Sequence, residues 1–110
     1  MEISGTGWTS GDLEAQARNI FELFERFVSE FDGDMRSIVR NRIHIREPHL
    51  TAKNRRLIHE IRADFFTRPY YPASTFVEVS DLAHDDALIE IEANAVIPND
   101  DWEAEVRMDE

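Results

Sequence analysis

A chain of 110 residues makes one small domain that buries about 60 to 65% of its unfolded surface, so self-association would stabilise it. It has no cysteine, which excludes disulfides, thiolate metal sites and a cysteine nucleophile. No apolar run approaches the roughly 18 residues of a membrane span, and Met1-Glu2-Ile3-Ser4 is not a basic-then-apolar leader, so a cytoplasmic protein without a membrane partner is expected.

The net charge of −11 argues against nonspecific nucleic-acid binding by the chain as a whole. It is unevenly spread. From Arg36 to Arg68 nine basic residues face only Glu47, Glu60 and Asp64, so this middle carries +6 and the remainder −17. All basic residues except Lys53 are arginine, and an acidic composition of this kind fits a halophilic setting, where salt screens the self-repulsion.

In chain order, Ile3-Ser4-Gly5-Thr6-Gly7 reads as the end of a strand running into a tight glycine loop. Ser10 or Asp12 caps a helix whose apolar positions Leu13, Ala17, Ile20, Phe24, Phe27, Val28 and Phe31 keep the 3.6-residue spacing, with Phe21 and Leu23 widening the stripe. Asp32-Gly33-Asp34 ends it, glycine being usual just past a helix C-terminus. The phenylalanine-rich stripe is helix-on-sheet core rather than a cofactor box.

Ile38 to Arg46 is a strand. Val39, Asn41, Ile43 and Ile45 take one face; Arg40, Arg42, His44 and Arg46 take the other together with Ile38. The arginine strip is either solvated decoration or, in a subunit cleft, a bidentate anchor for carboxylate or phosphate. Glu47-Pro48-His49 breaks the strand. Thr51 caps a second helix to about Phe66, with Leu50, Asn54, Leu57, Ile58, Ile61 and Phe65 inward and Lys53, Arg55, Arg56 and Arg62 in solvent. Arg68 to Pro72 is a loop.

Pro72 to Ile97 reads as two strands joined by a polar turn. Thr75 to Val79 sets Phe76 against Val77 and Val79. In Ala87 to Ile97 one face holds Ala87, Ile89, Ile91, Ala93, Ala95 and Ile97, wholly apolar and therefore buried; the other holds Leu88, Glu90, Glu92, Asn94 and Val96. Glu90, in mid-strand, needs a partner or solvent. Beyond Ile97 an acidic tail with six acids and one arginine is expected to be mobile unless Trp102 docks. With no repeat and no dividing linker, residues 1–98 form the domain and 99–110 the tail.

Pro72-Ala73-Ser74-Thr75, a strand ending at Val79, a turn containing Leu82 and then Leu88-Ile89-Glu90-Ile91-Glu92-Ala93 resemble the signature hairpin of the Rid family, also called YjgF/YER057c/UK114. Gln16-Ala17-Arg18, Ile38-Val39-Arg40 and Asn54 with Phe65-Phe66 agree in order, so the likeness runs from Ile3 to Ala95. It implies an α/β (α+β) two-layer sandwich, a mixed β-sheet with both helices on one face, as in bacillus-type chorismate mutases. It also implies a homotrimer with ligand clefts between subunits. The family pattern has a further strand before Ile3, which this sequence lacks, so a truncated N-terminal hairpin and a bare sheet edge are expected.

In imine-deaminating members an arginine after Pro-Ala holds the carboxylate of a 2-imino acid, the signature glutamate positions water, and no metal or cofactor takes part. Glu90 matches that acid, Asn54 the second-helix asparagine, Ser4 the serine of a Ser-Gly segment. The arginine position is Ser74. One neutral hydroxyl there replaces a contact worth roughly 2 to 5 kcal/mol. The resemblance therefore implies a divergent member that binds a small, anionic metabolite between subunits, with Glu90, Ser74, Thr75, Asn54 and Ser4 at the cleft and little general deaminase activity. The alternative is an imine or enamine deaminase in which Arg40, Arg42 or Arg46 holds the anion. A third reading is an RNA- or protein-binding module using the positive middle segment. Against these stands a bland account in which Glu90 merely pairs with an arginine of the Ile38–Arg46 strand. Histidines 44, 49, 59 and 84 have no metal-ligand spacing, and no glycine-framed turn makes Ser74 a hydrolase nucleophile.

Overall fold

The computed structural model describes residues 2–7, 10–97 and 105–107. Capping residues set both helix starts. Asp12, in extended conformation, accepts from the Ala15 amide at 2.9 Å, and α1 runs Leu13–Ser29. Thr51 accepts from the Asn54 amide at 3.1 Å, and α2 runs Ala52–Phe65. Each cap satisfies an amide that the first helical turn leaves free.

The end of α1 differs from expectation. The left-handed residue is Asp32, at φ 65°, one of the few side chains that tolerate this region. Gly33 is required instead by space. A Cβ there would lie 2.7 Å from Ser37 Oγ and 3.1 Å from the Val28 carbonyl, which already accepts from the Gly33 amide at 2.9 Å.

The sheet has five strands, β1 Glu2–Gly7, β2 Ile38–Arg46, β3 Ala73–Val79, β4 Ile89–Ala95 and β5 Glu105–Arg107. Of these, β2, β3 and β4 follow the alternation, whereas β1 continues through the expected glycine loop and β5 lies in the tail expected to be mobile. Their order is β3-β2-β4-β1-β5, with β2/β3 and β1/β5 parallel and β2/β4 and β1/β4 antiparallel. The two strands expected to form a hairpin are thus not neighbours; β2 lies between them. The reason is the crossover helix. A β2-α2-β3 unit lays β3 parallel on one side of β2, and residues 80–88 then carry the chain past the end of β2 to its other side. The edge of β1, expected to be bare, is taken by β5, formed from three residues of the acidic tail. Trp102 lies outside the described residues.

Both helices pack on one face of the sheet, as expected. Ala17, Ile20, Phe21, Phe24 and Val28 of α1 and Ile58 and Ile61 of α2 are buried against Ile3, Ile43, Ile45, Ile89, Ile91, Ala93 and Ala95. In β4, buried residues alternate strictly with half-buried ones from Ile89 to Ala95. Two expectations fail. The β2/β4 register shifts between Ile38 and Arg40, a bulge that turns Ile38 into the core and leaves Val39 exposed, reversing their assigned faces. Arg62, expected in solvent, is only 7% exposed. No helix among the described residues is long and apolar enough to cross a membrane.

Candidate functional site

The helices cover the apolar face, so the other face of the sheet is left to the polar halves of the strands. Cross-strand register lines up three rows there. Thr75, Val77 and Val79 of β3 stand opposite Arg42, His44 and Arg46 of β2. On the other side of β2, Arg40, Arg42 and His44 stand opposite Asn94, Glu92 and Glu90 of β4.

The strip of β2 is largely engaged within the chain. Arg42 Nη1 lies 3.3 Å from Glu92 Oε2, and His44 Nε2 lies 3.6 Å from Glu92 Oε1, an ion pair when the imidazole is protonated. Arg46 is turned toward the crossing segment. Its Nε donates to the Ala87 carbonyl at 2.8 Å, Nη2 to the His84 carbonyl at 2.7 Å, and Nη1 to the Asp81 carboxylate. Arg46 is therefore an anchor of residues 81–87. Its hydrogen bond, with one from the Leu82 amide, holds the Asp81 carboxyl below the usual carboxylate range.

Glu90 differs. It is half-buried and has no hydrogen-bond or ion-pair partner among the described residues. Its cross-strand neighbours explain why. On one side stands His44, whose ring is directed to Glu92, and on the other Gly7 of β1, which has no side chain to offer. The bland account, in which an arginine of β2 neutralises Glu90, fits Glu92 instead.

The remaining expected site residues divide between the two faces. Thr75 shares the face of Glu90, in register with Arg42. Ser74 faces the helices, in register with Asn41, and its hydroxyl donates to the buried Asn41 Oδ1. Asn54 also lies on the helix side, where its Nδ2 donates to the His49 carbonyl at 2.8 Å and ties α2 to the loop before it. Within one subunit, then, Ser74 and Asn54 do not meet Glu90. The side chain of Ser4 lies outside the described residues. Sequence reasoning did not single out Glu92, the acid that takes up the strip's charge, or Gly7, which leaves Glu90 uncovered. Strand alternation gives the face of Glu92 but only the register gives its partner, and Gly7, read from sequence as part of a glycine loop, is placed opposite Glu90 by the register alone. Among the described residues no group of His, Asp or Glu side chains is arranged to hold a metal ion.

An acid-dependence follows from Asp81 and from Asp34, whose carboxyl is likewise held low by the Arg36 guanidinium. Both are depressed in the folded chain, so their contribution is present above the unfolded carboxylate pKa of about 4 and is lost as pH falls below it. Both are exposed, so the effect is small. Urea midpoints measured from neutral pH down to about pH 3 should fall in acid. The fall should be shallower in Asp81→Asn; an unchanged profile in that variant would remove the assignment.

A two-layer α+β domain with an open, charged sheet face defines a class with many solved members. A family model described as Endoribonuclease L-PSP matches residues 2–97. The crystal structure of a YjgF/YER057c/UK114 family member from Mycobacterium tuberculosis is similar at TM-score 0.69 and 28% identity, covering 82% of this chain and 72% of that one. A Rid-family protein from Yersinia pestis is similar at TM-score 0.72 and 25% identity, over 84% of this chain and 74% of that one. RidA from the Antarctic bacterium Psychrobacter shares the fold at TM-score 0.69 and 21% identity, over 82% and 74%. No curated protein matches significantly in sequence. The chain belongs to the Endoribonuclease L-PSP family, the Rid or YjgF/YER057c/UK114 group.

Proposed function

We propose that the protein is a divergent Rid-family member that binds a small metabolite in a cleft between subunits of a homotrimer, with little general 2-imino acid deaminase activity. The observation that carries this reading is Glu90: a half-buried carboxylate with no partner among the described residues, on a sheet face the helices leave uncovered. A carboxylate so placed is available to accept from a ligand's N–H or from a bound water. Val77 and Val39 are exposed, Val77 on that same face, and an apolar side chain among charged ones suits a surface that a second subunit covers.

The loss of a general deaminase anchor is supported on two counts. Ser74 stands where the family arginine would be, and its hydroxyl is engaged with Asn41. Of the three cations that the deaminase alternative would recruit, Arg42 and Arg46 are engaged with Glu92 and with residues 81–87, and Arg40, exposed opposite Asn94, is the one left for that alternative. An arginine drawn away from such partners to hold a substrate would leave them unpaired. The name endoribonuclease belongs to relatives, and a chain of net charge −11 is poorly suited to bind RNA.

The test combines mass and turnover. Sedimentation equilibrium should give three chains per particle. Ammonia release from enzymatically generated 2-iminopropanoate should not exceed the spontaneous rate. Robust wild-type turnover abolished by Glu90→Gln would favour the deaminase alternative, and a monomer would remove the intersubunit cleft altogether.

A further inference from the structure

On the helix side of the sheet, between α2 and the loop that leads into β3, lies a cleft of about 360 Å3 lined by His59, Arg62, Ala63, Arg68 and Tyr71. We infer that this cleft binds a small oxyanion, a carboxylate or a phosphate group, held by Arg62 and Arg68. The inference stands apart from the role of Glu90, which lies on the opposite face.

The argument starts from the state of Arg62. It is 7% exposed, yet no carboxylate touches it among the described residues. Its Nη2 donates to the Pro72 carbonyl at 3.1 Å, its Nη1 sits 3.4 Å from His59 Nδ1, and its guanidinium lies 5.9 Å from the Tyr71 ring centre. Its Nε is buried with no partner. A guanidinium has five N–H donors in a planar fork, and these neighbours leave part of that fork unused.

A buried charge without a counter-ion is costly. Arg46, the other well-covered arginine, shows the usual remedy: at 17% side-chain exposure it has Asp81 within salt-bridge distance. In a chain with 23 acids, the lack of one at the most buried arginine among the described residues is informative. Burial pushes the Arg62 guanidinium below its usual range, opposed only by the Tyr71 phenol and by no carboxylate. Arg68 lines the same cleft, is exposed, and is likewise without an acid partner among the described residues. The ring of His59 packs on Phe76 at 5.4 Å, so that wall is held from behind. The cleft is at the small end of ligand sites, and two cations suit one oxyanion group better than a polyanion.

The test uses the full chain, labelled with nitrogen-15, titrated separately with sodium phosphate and sodium pyruvate at low ionic strength, where screening is weak. A saturable shift of the Arg62 Nε–Hε resonance is expected. A response to phosphate alone assigns a phosphoryl ligand and a response to pyruvate alone a carboxylate; either supports the site. Arg62→Met also loses the bond to Pro72, so the deciding variant is Arg68→Gln, whose side chain supports no other element. It should weaken binding about tenfold, whereas Arg18→Gln, outside the cleft, should not change it. No saturable shift with either probe, or equal affinity in Arg68→Gln, would overturn the inference.

Discussion

Gln16→Leu is expected to lower stability by about 3 kcal/mol, which for a chain of this length corresponds to roughly 10 to 15 °C in unfolding temperature. Gln16 is 1% exposed, a polar amide set among the apolar residues of α1. Its Nε2 donates to the carbonyls of Gly11 at 3.1 Å and Asp86 at 3.0 Å, and its Oε1 accepts from the Leu88 amide at 2.7 Å. One side chain thus joins the loop before α1 to the segment that crosses the end of β2. Leucine fills a similar volume, so the cost does not come from a cavity. It comes from three backbone groups that lose their partner in a site closed to water, each worth on the order of 1 kcal/mol or more. Urea unfolding followed by circular dichroism measures it. A loss below about 1 kcal/mol would mean that water reaches these groups and that the bridge is ornamental.

Gln16 also shows how much the sequence disclosed. Gln16-Ala17-Arg18 stood out as a family-like opening, but nothing in helical spacing says what a glutamine on the buried stripe is for; its partners lie 70 and 72 residues away. Local patterns are legible where local physics decides. The bounds of β2 came out as Ile38–Arg46 because Glu47-Pro48 ends the alternation, and the faces of β4 followed from its apolar set. Strand order was not legible, since alternation names a face and never a neighbour. Ser74 is instructive in another way. Parity with Phe76 already put it on the face opposite Thr75, so the two could not both line one cleft within a subunit; the resemblance to relatives had grouped them. Arg62 escaped because an arginine at helical spacing looks solvated until the loop carrying Tyr71 and Pro72 is folded over it.

Arg46→Met is expected to cost a similar amount, about 3 kcal/mol, for a related reason. The guanidinium, though belonging to a strip that sequence reasoning offered to a substrate anion, supplies donors to the His84 and Ala87 carbonyls and to Asp81. Hydrogen bonds from a charged donor are worth about 1.5 to 3 kcal/mol each, and methionine keeps most of the packing of the stem while removing them. Gln16 and Arg46 hold the same crossing from its two sides: one takes Asp86 and Leu88, the other His84 and Ala87. The two effects should therefore not add. Once either grip is gone, residues 84–88 gain freedom and water, and the second substitution has less left to break. The double variant should be destabilised by about 1 kcal/mol less than the sum of the singles. Additivity within about 0.5 kcal/mol would mean that the segment is fixed at two independent points, and that the route of the chain from β3 to β4 depends on something other than this pair.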